Sequence, residues 1–299
     1  MNADAFFSPW ERLAAGWSEC QEQINNIIKI ATPDRELAWR GVVDASWPLH
    51  SSLYRRFIRA NGHPPDEPDL VSFEERLLTD CRRRWRYDNL GALETLAHLQ
   101  HYGGPTRLLD VSFNPLITLW FAVEQKRNAA GQPLPEVNGR IFAFDTTDRH
   151  IALNEGWGGY ALPWSYSPGD HWRRDLPYVW WPPSYNERIP AQNSAFLVGG
   201  VPQVHSGGNM KYRKTPGDGA VGGTWTIDEV RAVSSVTIAM TSLARNPRIG
   251  SRPTFTIRIN AAEKSELRQI LEDRFGYNAA SVYPDLFGLA QYGADGIPM

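Results

Sequence analysis

The chain's 299 residues set 31 Lys and Arg against 33 Asp and Glu, a formal net charge of -2, so bulk charge gives no case for nucleic-acid binding, although a local basic patch stays open. Hydrophobic residues make up 42% of it, enough for one large domain or two ordinary ones, which excludes disorder over most of the length. Cys20 and Cys81 form no CxxC pair, which argues against a disulfide framework, a thiolate zinc site and a thioredoxin-type motif; without a secretion signal or a membrane-length apolar run, a cytoplasmic protein with no membrane partner is expected.

Ser8-Pro9-Trp10-Glu11 reads as a helix start, with Ser8 as the cap, Pro9 in the first position and Glu11 closing a capping box. Trp10, Leu13, Trp17, Ile24, Ile27 and Ile28 then recur at helical spacing, predicting a helical lead-in over residues 1–35 that docks on its own core, with a partner as the alternative. Glu36 to Val43 reads as a strand in which Arg40 sits oddly among apolar neighbours. Leu49 to Phe57 looks helical and Asn61 to Pro68 is a loop. Leu70 to Tyr87 is helical again and ends in the basic run Arg82, Arg83, Arg84 and Arg86, read as a solvated face rather than a phosphate contact. Leu90 to Tyr102 is a strong helix stopped by Gly103-Gly104-Pro105, and Asn114-Pro115 opens another. Gly139 to Asp145, Ala195 to Val198 and Pro253 to Ile259 read as strands, and Ala261 to Phe275 as a helix before Gly276. Strands and helices without strict alternation predict an α+β fold, a single mixed-sheet core with flanking helices.

From about 154 to 186 no periodicity is readable. Trp157, Tyr160, Trp164, Tyr166, Trp172, Tyr178, Trp180, Trp181 and Tyr185 stand there among prolines, either as an aromatic plug on the core or as a ligand platform or lid. Gly217, Gly219 and Gly222 match G-x-G-x-x-G, but no acidic residue follows at the required distance, so the stretch reads as a loop rather than a dinucleotide fingerprint. His98 and His101 could share one helix face, yet no carboxylate or thiolate set completes a metal site, and none is expected.

The densest polar span lies between two apolar helices: Gln100, His101, Tyr102, Thr106, Arg107 and Asp110. Such groups must satisfy one another or face a ligand. An Arg107–Asp110 clamp with Thr106 is the structural reading of this span. Trp39-Arg40-Gly41, the stretch Trp47 to Arg55, the stretch Gln100 to Asp110, and Asn114-Pro115-Leu116 resemble the FRG domain, named for its Phe-Arg-Gly. Glu187 to Gln192 with Phe196, and Tyr283 to Leu289, are similar to its C-terminal half, so the domain is expected over 36–290, with residues 291–299 a tail. Trp39 stands where the family has its naming Phe. The resemblance implies a bacterial or phage-related protein of defence or toxin-like character, without implying one reaction.

A weaker similarity to ADP-ribosyltransferases is inferred from the same residues. Arg40-Gly41 resembles their strand arginine, which implies that the guanidinium holds the NAD diphosphate or its ribose surroundings while Gly41 admits the ligand close to the backbone. The segment Arg188-Ile189-Pro190-Ala191-Gln192 resembles the strand that carries a catalytic glutamate, here replaced by Gln192. This implies an NAD-like nucleotide ligand, bound by Arg40, Gly41, Arg55, Tyr102, Thr106, Arg107 and Arg188, with Asp110, His101, Gln192 and Asp285 as catalytic candidates and Glu187 as a further carboxylate. An amide stabilises positive charge on a sugar less than a carboxylate does, so cleavage needs a carboxylate from elsewhere, or the site binds without cleaving. Each residue also has a structural reading: Arg40 paired with Asp110, Asp285 capping a helix, Gln192 bridging strands. The alternative function is a non-enzymatic sensor or interaction module that meets a protein partner, or a macromolecular acceptor, through the Trp/Tyr surface; nucleic-acid processing ranks last.

Overall fold

The computed structural model describes residues 2–30, 35–128, 131–165, 177–203, 212–216, 223–243 and 252–293. Its strands are β1 (Leu13–Ala14), β2 (Leu37–Val42), β3 (Leu109–Ser112), β4 (Gly139–Asp145), β5 (Tyr178–Trp180), β6 (Ser194–Val198) and β7 (Thr254–Ile259). Its helices are α1 (Ala3–Phe7), α2 (Trp17–Ile30), α3 (Ser52–Asn61), α4 (Glu67–Trp85), α5 (Ala92–His101), α6 (Pro115–Val123), α7 (Arg188–Ala191), α8 (Ile227–Arg231), α9 (Lys264–Phe275), α10 (Ala279–Val282) and α11 (Leu286–Tyr292). The strands form one sheet in the order β1-β7-β4-β2-β3-β6-β5. Neighbours are antiparallel except for β1 beside β7, so the sheet is mixed and the fold is α+β.

Side chains alternate across the pleat, and here both faces are covered. Ala38, Val42, Leu109, Val111, Phe142 and Phe144 pack under Phe6, Phe7, Val230 and Val233 on one face. Trp39, Ile141, Ala143, Phe255 and Ile257 meet Ile24 and Ile27 of α2, Leu119 and Ala122 of α6, and Leu267 and Leu271 of α9 on the other. Each such large side chain, taken fully from water, contributes roughly 1.5–3 kcal/mol. Gly41 shows how close the second layer comes: a Cβ built on it would stand 2.0 Å from the Thr118 carbonyl oxygen of α6.

The lead-in departs from the periodic reading. Ser8–Trp10 is a single 3₁₀ turn, Leu13 lies on edge strand β1, and the helix begins only at Trp17, after Gly16 at φ 98°. Glu11 closes no capping box; it ion-pairs with the fully buried Arg140, while Asp4 reaches Arg140 at 3.2 Å and Arg258 at 3.0 Å. An unpaired buried guanidinium costs several kcal/mol and a helix cap about 1, so the ion pairs prevail. Ile24 and Ile27 dock on the chain's own core, as the stripe predicts.

In the excursion, Trp157, Leu162, Trp164, Tyr178 and Trp180 are buried against Leu78 of α4 and Leu93, Leu96 and Ala97 of α5. These residues therefore plug the core, whereas Tyr160 and Trp181 are exposed. Tyr166, Trp172 and the Gly217, Gly219, Gly222 pattern lie outside the described residues. Among the described residues, no helix is long and apolar enough to cross a membrane.

Candidate functional site

The sheet parts between its central strands. β2 and β3 share only the pairing of Trp39 with Ser112, whereas β3 pairs with β6 from Leu109 to Ser112. In the gap, Arg40 Nη1 donates to the Asp110 carbonyl oxygen at 2.5 Å and lies 4.0 Å from Asp110 Oδ2, so a guanidinium takes the acceptor that a ladder amide would have used. A cleft of about 390 Å³ opens there. Its floor is Arg40, Gly41, Asp110 and Ser112; one wall is His98, Gln100, His101 and Tyr102 at the end of α5; the other is Tyr185, Arg188, Gln192 and Tyr283.

A relay of hydrogen bonds sets the carboxylate on that floor. Thr106 Oγ1 donates to Gln100 Oε1, which turns the Gln100 amide so that Nε2 donates to Asp110 Oδ1 at 2.7 Å. The Asp110 side chain is still 68% exposed, while that of Arg40 is 19% exposed. Burial and the neighbouring Arg55 hold the Arg40 guanidinium below its ordinary value, and Asp110 pulls it back up. Asp110 is thus an accessible carboxylate between two arginines.

The opposite wall is tied together differently. Arg188 and Asp285 form a two-point pair, Nε to Oδ2 at 2.6 Å and Nη2 to Oδ1 at 2.8 Å, with the guanidinium 5.1 Å from the Tyr283 ring centre. The hydrogen bond from Arg188 holds the Asp285 carboxyl below the usual carboxylate range, and Asp285 also caps α11 by accepting from Gly288 N–H. Gln192 Nε2 donates to the Val282 carbonyl and its Oε1 accepts from Ser194. Contrary to the strand placement implied for it, Gln192 ends α7, and the strand starts at Ser194.

Arg40, Gly41, Asp110, His101, Tyr102, Arg188 and Gln192 therefore come together at one cleft, and Asp285 stands behind Arg188. Thr106 and Arg107 do not line it. Thr106 is buried and acts through Gln100, as above. Arg107 is 2% exposed and, instead of clamping Asp110, binds Glu74 through Nε and Nη2 and Glu67 through Nη1 at 2.6 Å. Two buried carboxylates on α4 outweigh one exposed carboxylate as partners for a desolvated guanidinium. Gly41 lines the floor, but the space its missing side chain leaves is filled by α6, not left for a ligand. Arg55 belongs to a side recess described below, and Glu187 is exposed outside the cleft.

Sequence reasoning missed Tyr283 as a wall residue, had His98 only as a candidate metal ligand and Tyr185 only within the aromatic excursion, and read Gln100 within the polar span. The His98 ring lies 4.4 Å from the Tyr185 ring, tilted by 51°, and accepts or donates at 3.0 Å with Tyr87 Oη; burial pushes its imidazole below its ordinary value. The signal was the i, i+3 spacing of His98 and His101, which puts both rings on one helix face whether or not a metal is involved. No group of three His, Cys, Asp or Glu able to hold a metal occurs among the described residues.

Residues 35–131 match the family model of the FRG domain. That third of the chain supplies β2, α5, β3 and α6, hence Arg40, His101, Tyr102 and Asp110, while the Arg188 and Tyr283 wall lies beyond it. Comparisons with curated proteins and with solved structures give no match.

Proposed function

On the premise that residues 35–131 are an FRG domain, we propose that the cleft between β2 and β3 is a nucleotide site of the NAD class and that the protein cleaves its ligand at the sugar. The observation that carries this is the meeting of Arg40, Asp110 and the His98, His101, Tyr102 and Tyr185 rings, from three distant segments, around one small-molecule-sized cavity. Rings accept the face of a base, and a guanidinium fork suits a diphosphate. The carboxylate of Asp110 would stabilise positive charge developing on a ribose; Gln192, committed to Val282 and Ser194, supplies shape rather than charge. Consumption or transfer of such a nucleotide is the chemistry a defence or toxin-like effector would need.

Purified protein given NAD, with and without host lysate, tests this by nicotinamide release and label transfer. Arg40→Ala and Asp110→Asn should each lower both by roughly 10²-fold or more while remaining folded. No turnover by the wild type, together with no thermal stabilisation by NAD, sinks the reading. The interaction-module alternative is weakened by the burial of Trp157, Trp164 and Trp180 in the core.

A further inference from the structure

Behind Asp110 the cleft continues into a recess of about 180 Å³ lined by Arg40, Ser52, Arg55, Gln100, Gly103 and Asp110, three of which also line the cleft. Arg55 and Ser52 then pass it on to an open groove with Arg56 and Arg59 on α3. Arg55 and Arg59 are one helical turn apart, roughly 6 Å along the axis, and so share a face. Arg55, Arg56 and Arg59 are exposed, and no ion pair to any of them is found among the described residues. Arg55 Nη1 donates to the His50 carbonyl, which fixes one end of the row. Burial and Arg59 hold Arg55 below its ordinary value, and Asp110 is the carboxylate that acts against them. Four guanidiniums thus run from the cleft floor to the surface beside one carboxylate, an imbalance that bulk charge conceals and that an anion would relieve.

We propose that this recess and the α3 row form a phosphate subsite that takes a chain of phosphates, carried either by the nucleotide in the cleft or by a separate phosphorylated molecule. The row's length favours a chain over a single phosphate, because Arg40 lines the recess and Arg59 the groove beyond it, with Arg55 between them. The site rests in part on the nucleotide reading of the cleft, yet its anion chemistry can be tested without it.

The probes are inorganic tripolyphosphate, ATP, adenosine and NAD, added at low salt to the wild type and to an Arg56→Gln/Arg59→Gln double variant, whose changes are exposed and outside the cleft. Tripolyphosphate should raise the melting temperature of the wild type, and the double variant should lose that shift. Salt should also weaken tripolyphosphate binding to the wild type more steeply than to the variant. If ATP also binds the variant at least tenfold more weakly while adenosine does not, the cleft's own ligand supplies the phosphates; if only tripolyphosphate is affected, a separate molecule does, and both results uphold the subsite. No tripolyphosphate shift in the wild type, or a shift of equal size in the variant, overturns it. Failure of NAD turnover with the tripolyphosphate result intact would remove the NAD reading alone.

Discussion

Replacing Arg107 by Ala separates a structural arginine from a ligand-binding one. Its guanidinium is 2% exposed and makes hydrogen bonds of 2.6–3.0 Å to Glu74 and one of 2.6 Å to Glu67. The Trp164 indole N–H also donates to Glu74, and the Val201 amide to Glu67, so both carboxylates stay fixed when the arginine goes. Two buried carboxylates would be left without a cation, which costs on the order of 3–5 kcal/mol, or on the order of 10 °C in melting temperature. Burial already pushes the Glu74 carboxyl up, with Arg107 pulling against it. Without Arg107 the folded-state pKa of Glu74 rises further above the unfolded value of about 4.3, so the added cost is small below that pH and grows as pH rises through the new folded value. Urea unfolding of wild type and variant at about pH 5 and about pH 8 measures this, and the deficit should be larger at the higher pH. A loss below about 1 kcal/mol at both pH values would refute the network argument. Because Arg107 lies outside the cleft, the folded variant should keep wild-type affinity for any cleft ligand.

Gly41→Ala should cost roughly 1–3 kcal/mol or more, read by thermal unfolding, because the new methyl would meet the α6 backbone at 2.0 Å; a neutral result would mean that α6 yields freely. His50 is buried, its Nε2 is 3.0 Å from the Arg231 carbonyl, and burial lowers its pKa to about 4. The neutral ring is therefore the folded form, and stability should be flat for this group above about pH 6.5 and fall as pH drops from there toward about 4. His50→Asn should flatten that part of the unfolding-versus-pH curve, and an unchanged slope would count against the assignment. Asp110→Asn should leave the melting temperature nearly unchanged, since the side chain is 68% exposed, while lowering turnover roughly 10²–10³-fold if the carboxylate stabilises the developing charge.

Periodicity and turn chemistry alone were enough for much of this protein. Gly139–Asp145 is a strand, the cap Asn114 starts α6, and Gly103 at φ 80° follows the end of α5. These are local effects, settled within a few residues by hydrogen bonds and backbone freedom. The polar span from Gln100 to Asp110 was also legible as a site, because so many polar groups beside apolar helices need partners. Which partner each group takes is a long-range matter. Arg107 turned from Asp110 to two glutamates on α4, and Glu11 left a local cap for Arg140, because desolvated charge binds the best counter-charge the fold brings near, whatever the sequence separation. The cleft itself exists because β2 and β3 stop pairing after Trp39 and Ser112, and no residue in either strand announces where its neighbour will leave it.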